Sequence, residues 1–266
     1  MMLIALHGWP NMIAKWSNFM GVAVRQQTPR FGTALGGAFC RGPEYMPEAA
    51  RIRIGLGCLI ALVFWTAEPA NCQDQLSRIE DNTFISPANP KIRVKVDRNF
   101  EYVGSVPFTI DDQAGGNRYV FVHATRDKHI QRMFIIQLEG LFVSTDEIYR
   151  YKITTAAKLG DFDYRHSVIV YDNDASIREE PGKEADLTQR FLAGHGYTSE
   201  PELVMSRFAR PVDSERKHEI IFFCFENLSS YKHKLQDFPE GLDSPEKQAI
   251  TRRVNENCRS TFRVNH

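Results

Sequence analysis

The chain has 266 residues, of which 42% are hydrophobic and 25% are charged, and its formal net charge is zero. This composition is that of an ordinary globular protein. The charge balance argues against nucleic acid as a partner, because nucleic-acid-binding domains are usually clearly basic.

Residues 46–72 have the layout of a secretory signal peptide. Arg51 and Arg53 precede an apolar run of 14 residues, 54–67, and small and polar residues follow up to Cys72. This order of basic, apolar and small-residue regions is typical of such peptides, and the run is shorter than the roughly 20 residues of a membrane-spanning helix. We therefore expect cleavage near Gln73 and export to the periplasm or the cell exterior, with no stable membrane span in the mature chain.

A start at Met46 would place this signal peptide at the N-terminus, where such peptides normally lie. Residues 1–45 would then be an incorrectly assigned start; the alternative is a disordered or cytoplasmic leader. The predicted mature chain, 73–266, holds 27 Lys and Arg against 30 Asp and Glu, a net charge of −3. Its length is enough for one well-buried domain.

Eight segments of the mature chain predict β-strands. Residues 91–97 alternate strictly, with Ile92, Val94 and Val96 on one face, which is typical of a half-buried strand. The most apolar segment, 218–226, is expected at the centre of a sheet. The other six are 100–110, 118–124, 132–142, 147–153, 166–171 and 202–212. Gly104 and Pro107 interrupt 100–110, which is therefore predicted to be an edge or bulged strand. Residues 73–90 are expected to be a polar opening segment, and 158–164 a loop.

Helical spacing appears late in the chain. Residues 183–193 predict a helix that stops at Gly194. Ser244-Pro245-Glu246 predicts the start of a C-terminal helix whose apolar face is formed by Ile250, Val254, Cys258 and either Phe262 or Thr261. Because six strand candidates precede the first helix, we predict an α+β fold with a single, mostly antiparallel sheet of about eight strands and helices packed mainly on one face.

The densest group of chemically capable side chains lies in residues 160–174. It comprises Asp161, Asp163, His166, Asp172 and Asp174. Two acidic pairs flanking one strand are suited to acid/base work or to a metal. The alternative is turn chemistry and solvated charge, which is common for Asp-x-Asp at strand ends. EF-hand spacing is not present, and histidine spacing supports no zinc site.

Two cysteines, Cys224 and Cys258, remain after the predicted cleavage. The strand face of Cys224 and the helix face of Cys258 are both expected to point into the layer between sheet and helix. Export would supply oxidising conditions, so the sequence predicts a disulfide. The alternative is two separately buried thiols, since free cysteine packs like a small hydrophobic residue.

The sequence favours a non-enzymatic secreted or periplasmic protein that binds an unidentified ligand or partner through a sheet face or a loop cluster. No catalytic or cofactor-binding fingerprint occurs, and tyrosines recur at strand positions. The alternative is a metal-dependent hydrolase or another acid/base enzyme that uses the 161–174 Asp/His cluster. From the sequence alone, the choice between enzyme and binding protein stays open.

Overall fold

The computed structural model describes residues 77–111, 113–150, 156–239, 242 and 248–265. The predicted leader, the signal peptide, the cleavage point near Gln73 and the helix start at Ser244 lie outside these residues. All structural statements below concern the described part of the chain.

The described residues form eleven strands and three α-helices. The strands are β1 (Arg78–Glu80), β2 (Thr83–Ser86), β3 (Ile92–Val96), β4 (Glu101–Ile110), β5 (Ala114–Ala124), β6 (Ile130–Leu141), β7 (Ala156–Leu159), β8 (Phe162–Asp172), β9 (Glu202–Pro211), β10 (His218–Asn227) and β11 (Phe262–Asn265). The helices are α1 (Asn173–Glu179), α2 (Glu184–Gly194) and α3 (Gln248–Thr261).

Seven strands form the large sheet, in the order β4-β5-β6-β10-β9-β8-β7, and all neighbours are antiparallel. β10 is the middle strand and is buried along both faces, which confirms the central position predicted for residues 218–226. β4 is an edge strand with a register shift between Tyr102 and Gly104, as its glycine and proline predicted.

The other four strands form a small sheet in the order β1-β2-β3-β11. β3 buries Ile92, Val94 and Val96 and exposes the residues between them, as its alternation predicted. These side chains pack against the large sheet in one apolar cluster. Phe262 lies at its centre, with ring centroids 4.6 Å from Phe134 and 5.0 Å from Phe222.

The helices lie on opposite faces of the large sheet. On one face, Leu187, Phe191 and Leu192 of α2 pack on a cluster formed by β5, β6, β9 and β10. On the other face, which the small sheet also covers, Ile250 and Val254 of α3 pack against β8 and β9. The molecule therefore has three layers: the small sheet with α3, the large sheet, and α2.

The predicted single sheet with helices on one face is wrong, because the structure has two antiparallel sheets of four and seven strands. β3 pairs only with β2 and β11, and it meets the large sheet through side chains. Alternation shows that one face of a strand is buried, but it does not show whether a helix or a second sheet covers that face. The prediction therefore had no basis for separating β3 from the other strands.

Several segments also differ locally from their predictions. The polar opening segment contains β1 and β2, and the segment predicted as a loop forms the β7–β8 hairpin, which turns at Gly160 with a φ of +59°. Residues 147–150 are not a strand, and 151–153 lie outside the described residues. Phe262 begins β11 instead of ending the helical face.

No helix in the described residues is long and apolar enough to cross a membrane.

Candidate functional site

The acidic residues of the predicted 161–174 cluster lie at the two ends of β8. Asp161 is in the hairpin turn and Asp163 is the second residue of the strand, whereas Asp172 is its last residue. Asp163 and Asp172 are nine positions apart along the strand, a distance of about 30 Å at roughly 3.3 Å per residue. The two acidic pairs are therefore not brought together into one site.

The acids at the far end of β8 belong to the start of α1. Asp172 is the N-cap of this helix, and its Oδ1 accepts a hydrogen bond of 2.8 Å from the backbone N–H of Ala175. Asp174 is exposed in the first turn, where its negative charge interacts favourably with the helix dipole. At the other end, Asp161 and Asp163 are exposed. The described residues contain no group of three or more His, Cys, Asp and Glu side chains that could hold a metal ion.

His166 lies apart from both acidic pairs, in a polar contact between β8, β9 and α3. Its Nε2 is 3.1 Å from the Ser206 hydroxyl, which donates to Asn255 Oδ1 at 3.0 Å. Burial lowers the pKa of His166, and the ring stacks on Phe208 with centroids 4.4 Å apart. Since Ser206 is fully buried, this arrangement ties α3 to the sheet rather than exposing a nucleophile.

The structure joins Cys224 of β10 to Cys258 of α3 as a disulfide, with Cα atoms 5.6 Å apart. This distance is in the range that disulfides require, and both residues are buried in the cluster between the sheets. The prediction that both sulfurs point into the same layer is confirmed.

A second set of contacts fixes α3 near the bond. Glu226 accepts hydrogen bonds from the Tyr231 hydroxyl at 2.6 Å and from Asn257 Nδ2 at 3.0 Å. Arg132 Nη2 donates to the backbone carbonyl of Asn257 and to the hydroxyl of Thr261. The last helix is thus held by one covalent bond and by charged groups on β6 and β10.

The opposite face of the large sheet carries a buried polar network that the sequence did not predict. Gln137 and Glu139 of β6 are polar, and both are buried. Arg118 Nε donates to Gln137 Oε1 at 2.7 Å, and Gln137 Nε2 donates to Glu139 Oε2 at 2.7 Å. Arg118 also donates to the hydroxyl of Thr188 on α2, and the Tyr149 hydroxyl donates to Glu139 Oε1. These contacts bind α2 and the 142–150 segment to the sheet.

Burial changes the titration of this network. Desolvation raises the pKa of Glu139, against the effect of the hydrogen bond from Tyr149, and the nearby Glu184 carboxylate raises it further. Burial also lowers the pKa of Arg118, which Glu184 opposes. Arg118 lies over the rings of Phe108 and Phe223. Apolar and hydrogen-bonded contacts thus enclose these charged groups, so we assign them a structural role.

A cleft opens at one end of the space between the two sheets. Residues 89–91 of the β2–β3 connection and Ile92 of β3 line one side, and Phe162, Tyr164, Arg210, Ile220 and Val212, which follows β9, line the other. The cleft has a volume of about 130 Å³. Strands carry Phe162, Tyr164, Arg210 and Ile220 and hold these side chains in fixed positions.

Strand register explains why these side chains meet. Ala209 of β9 pairs with Arg165 of β8, and Ile220 of β10 pairs with Arg210. Because side chains alternate between faces, Tyr164, Arg210 and Ile220 form a row across three neighbouring strands on the face toward the small sheet. Phe162 and Val212 extend that face by two residues toward the end of the sheet.

The cleft contains an aromatic-stacked cation and a buried hydroxyl that makes no hydrogen bond of normal geometry within the described residues. The Arg210 guanidinium carbon lies 3.7 Å from the ring centroid of Phe162 and 5.7 Å from that of Tyr164. Tyr164 is fully buried, and its hydroxyl makes no hydrogen bond of normal geometry to any described residue, although it lies near the Arg210 guanidinium. Burial raises the pKa of Tyr164 to about 12, although the Arg210 guanidinium acts in the opposite direction. The phenol is therefore a neutral O–H donor at neutral pH.

Arg210, Tyr164 and Phe162 are not among the site residues predicted from the sequence. A signal was present, since Arg210 interrupts the apolar 202–212 strand at a position that shares a face with buried Val204 and Phe208. What the sequence lacked was the register that places Tyr164 beside it.

Neither a protein-family model, nor a curated protein, nor a solved structure matches this chain. The function is therefore argued from its own residues.

Proposed function

We propose that this protein is a binding protein and that its ligand occupies the cleft between the two sheets. The observation that carries this proposal is the Tyr164 hydroxyl, which is fully buried at the cleft and makes no hydrogen bond of normal geometry in the described part of the chain. Leaving a buried donor unpaired costs about 1–3 kcal/mol. A ligand acceptor in the cleft would remove that cost.

The surroundings of Tyr164 support this assignment. Arg210 adds a planar group with several N–H donors, and Phe162, Val212 and Ile220 add apolar walls. A concave, mostly apolar site with a few convergent polar groups is typical of small-molecule sites. Because the enclosed volume is small, only one chemical group of the ligand is expected to enter, while the rest extends into solvent.

The test is a titration of the ¹⁵N-labelled protein with small aromatic probes, namely benzoate, phenyl phosphate, benzamide and benzylamine. We expect at least one probe to shift the amide resonances of residues 89–92 and 210–212. The same shifts should weaken in Tyr164→Phe and Arg210→Met, and should persist in Arg126→Met, which changes an exposed arginine in the turn between β5 and β6. The proposal fails if no probe perturbs these residues, or if both cleft variants bind as the parent protein does.

We also propose that the protein works in the periplasm or outside the cell. The signal-like layout of residues 46–72 supports export, and the disulfide agrees with an oxidising compartment. N-terminal sequencing of the exported protein should find a start within a few residues of Gln73. Residues 1–45 still attached to the exported protein would contradict this.

A further inference from the structure

We propose that the group held in the cleft is an oxyanion, a carboxylate or a phosphate, attached to a short apolar body. This inference rests on the proposed function of the cleft and names the class of ligand that the cleft selects. Its basis is the juxtaposition of Arg210, Tyr164 and Phe162 at the end of the large sheet.

The charge of the cleft favours an anion. Two of its lining residues, Lys91 and Arg210, are cationic, and none is acidic. Asp163 follows Phe162 in β8, so strand alternation directs it to the opposite face. Asp213 follows Val212, but its carboxylate already accepts hydrogen bonds from His218 Nδ1 at 2.7 Å and from the backbone N–H groups of Lys217 and His218. These neighbouring acids are therefore not placed to neutralise the two cations.

The geometry of Arg210 favours an oxyanion over a simple counterion. Its flat face lies on the Phe162 ring, which leaves the N–H groups in the guanidinium plane. Nε donates to the carbonyl of Pro211 at 3.3 Å, and the guanidinium also lies close enough to the Tyr164 hydroxyl to lower the pKa of that group. A guanidinium fork of this kind pairs with carboxylate or phosphate through two parallel hydrogen bonds.

The Tyr164 hydroxyl adds a third donor beside the guanidinium. Because burial raises its pKa to about 12, the phenol keeps its proton and can donate it to a ligand acceptor. The donors available in the cleft thus include the Arg210 terminal N–H groups, the Lys91 ammonium and the Tyr164 hydroxyl. An oxyanion carries only acceptor atoms and can accept a hydrogen bond from each of these donors. An ammonium group carries only donors and can accept from none of them.

The remaining walls define the body of the ligand. Ile92, Val212 and Ile220 are apolar, and Phe162 is 36% exposed at the mouth. An apolar group next to the oxyanion would cover the exposed part of Phe162. A free inorganic ion would leave it in contact with water.

The experiment compares size-matched probes that differ in charge. Benzoate and phenyl phosphate are titrated against benzamide and benzylamine, with the affinities measured from the amide shifts of residues 89–92 and 210–212. We expect an anionic probe to bind at least about 10-fold more tightly than benzamide, which is the ratio expected for hydrogen bonds to a charged group. The comparison of benzoate with phenyl phosphate identifies which of the two oxyanions the cleft prefers.

Three variants test the roles of the donors. Arg210→Met should abolish the preference for anions, and Arg210→Lys, which keeps the charge without the fork, should retain only part of it. Tyr164→Phe should weaken binding of the anionic probe about 10-fold and should weaken binding of benzamide by less. Arg126→Met is the control and should bind as the parent does. Amide spectra of each variant establish that the sheets remain folded.

Two outcomes would overturn the inference, and they are distinguishable. If benzamide or benzylamine binds in the cleft as tightly as either anion, the cleft is a binding site but not an oxyanion site. If no probe binds there at all, both this inference and the proposed function fail.

Discussion

The bond between Cys224 and Cys258 gives the sharpest test of how the C-terminal part of this fold is stabilised. The two residues are 34 positions apart in sequence, and both sulfurs are buried between the sheets. By the chain-entropy argument, closing a loop of that length stabilises the folded state by about 4 kcal/mol. The double variant Cys224→Ala/Cys258→Ala removes the bond without leaving an unpaired thiol.

We expect the double variant to lose about 4 kcal/mol in the free energy of unfolding, measured by urea denaturation. For a domain of this size, the melting temperature should fall by roughly 8–16 °C. Loss of the disulfide should also be visible in hydrogen exchange, because only polar and apolar contacts would hold α3 in the double variant. Amides of Gln248–Thr261 should therefore gain more exchange than those of β10.

The control is the parent protein under reducing conditions. A reductant should destabilise the parent by a similar amount and leave the double variant unchanged. A double variant within about 1 kcal/mol of the parent would refute the reasoning, as would mass spectrometry that finds two free thiols in the exported protein.

Three further predictions follow from other contacts. Burial raises the folded-state pKa of Glu139 above its ordinary 4.5, so ionisation of this carboxyl destabilises the folded state. The free energy of unfolding of the parent, relative to that of Glu139→Gln, should therefore fall as pH rises above about 4.5. A difference in unfolding free energy that stays flat or rises with pH in urea titrations would contradict this. Tyr231→Phe removes the donor to the buried Glu226 carboxylate and should cost about 1.5 kcal/mol, whereas an unchanged urea midpoint would show that Asn257 alone satisfies it. Gly116→Ala would place a Cβ 1.9 Å from the backbone oxygen of Leu138 and should lower the free energy of unfolding by about 3 kcal/mol or more. The control is Gly194→Ala, whose Cβ meets nothing within 4 Å and which should melt at the temperature of the parent.

The sequence by itself determined the elements whose pattern is local. The strict alternation of 91–97 fixed which side chains of β3 are buried, and the continuous apolar character of 218–226 placed β10 at the centre of the large sheet. The helical stripe through Ile250, Val254 and Cys258, together with the strand face of Cys224, led to the disulfide. These features follow from the side-chain periods of 2 and 3.6 residues, which a linear sequence displays directly.

The tertiary structure alone decided how these elements meet. β1, β2 and β11 are three or four residues long, too short to show a period. β2 and β11 pair with β3, and β1 pairs with β2, so these four strands form a sheet of their own. The predicted 161–174 site required its two acidic pairs to lie close together. The extended strand β8 instead places them at its opposite ends. Strand register placed Arg210 beside Tyr164, and packing between layers buried Gln137 and Glu139. Such contacts join residues far apart in sequence, so no local pattern specifies them.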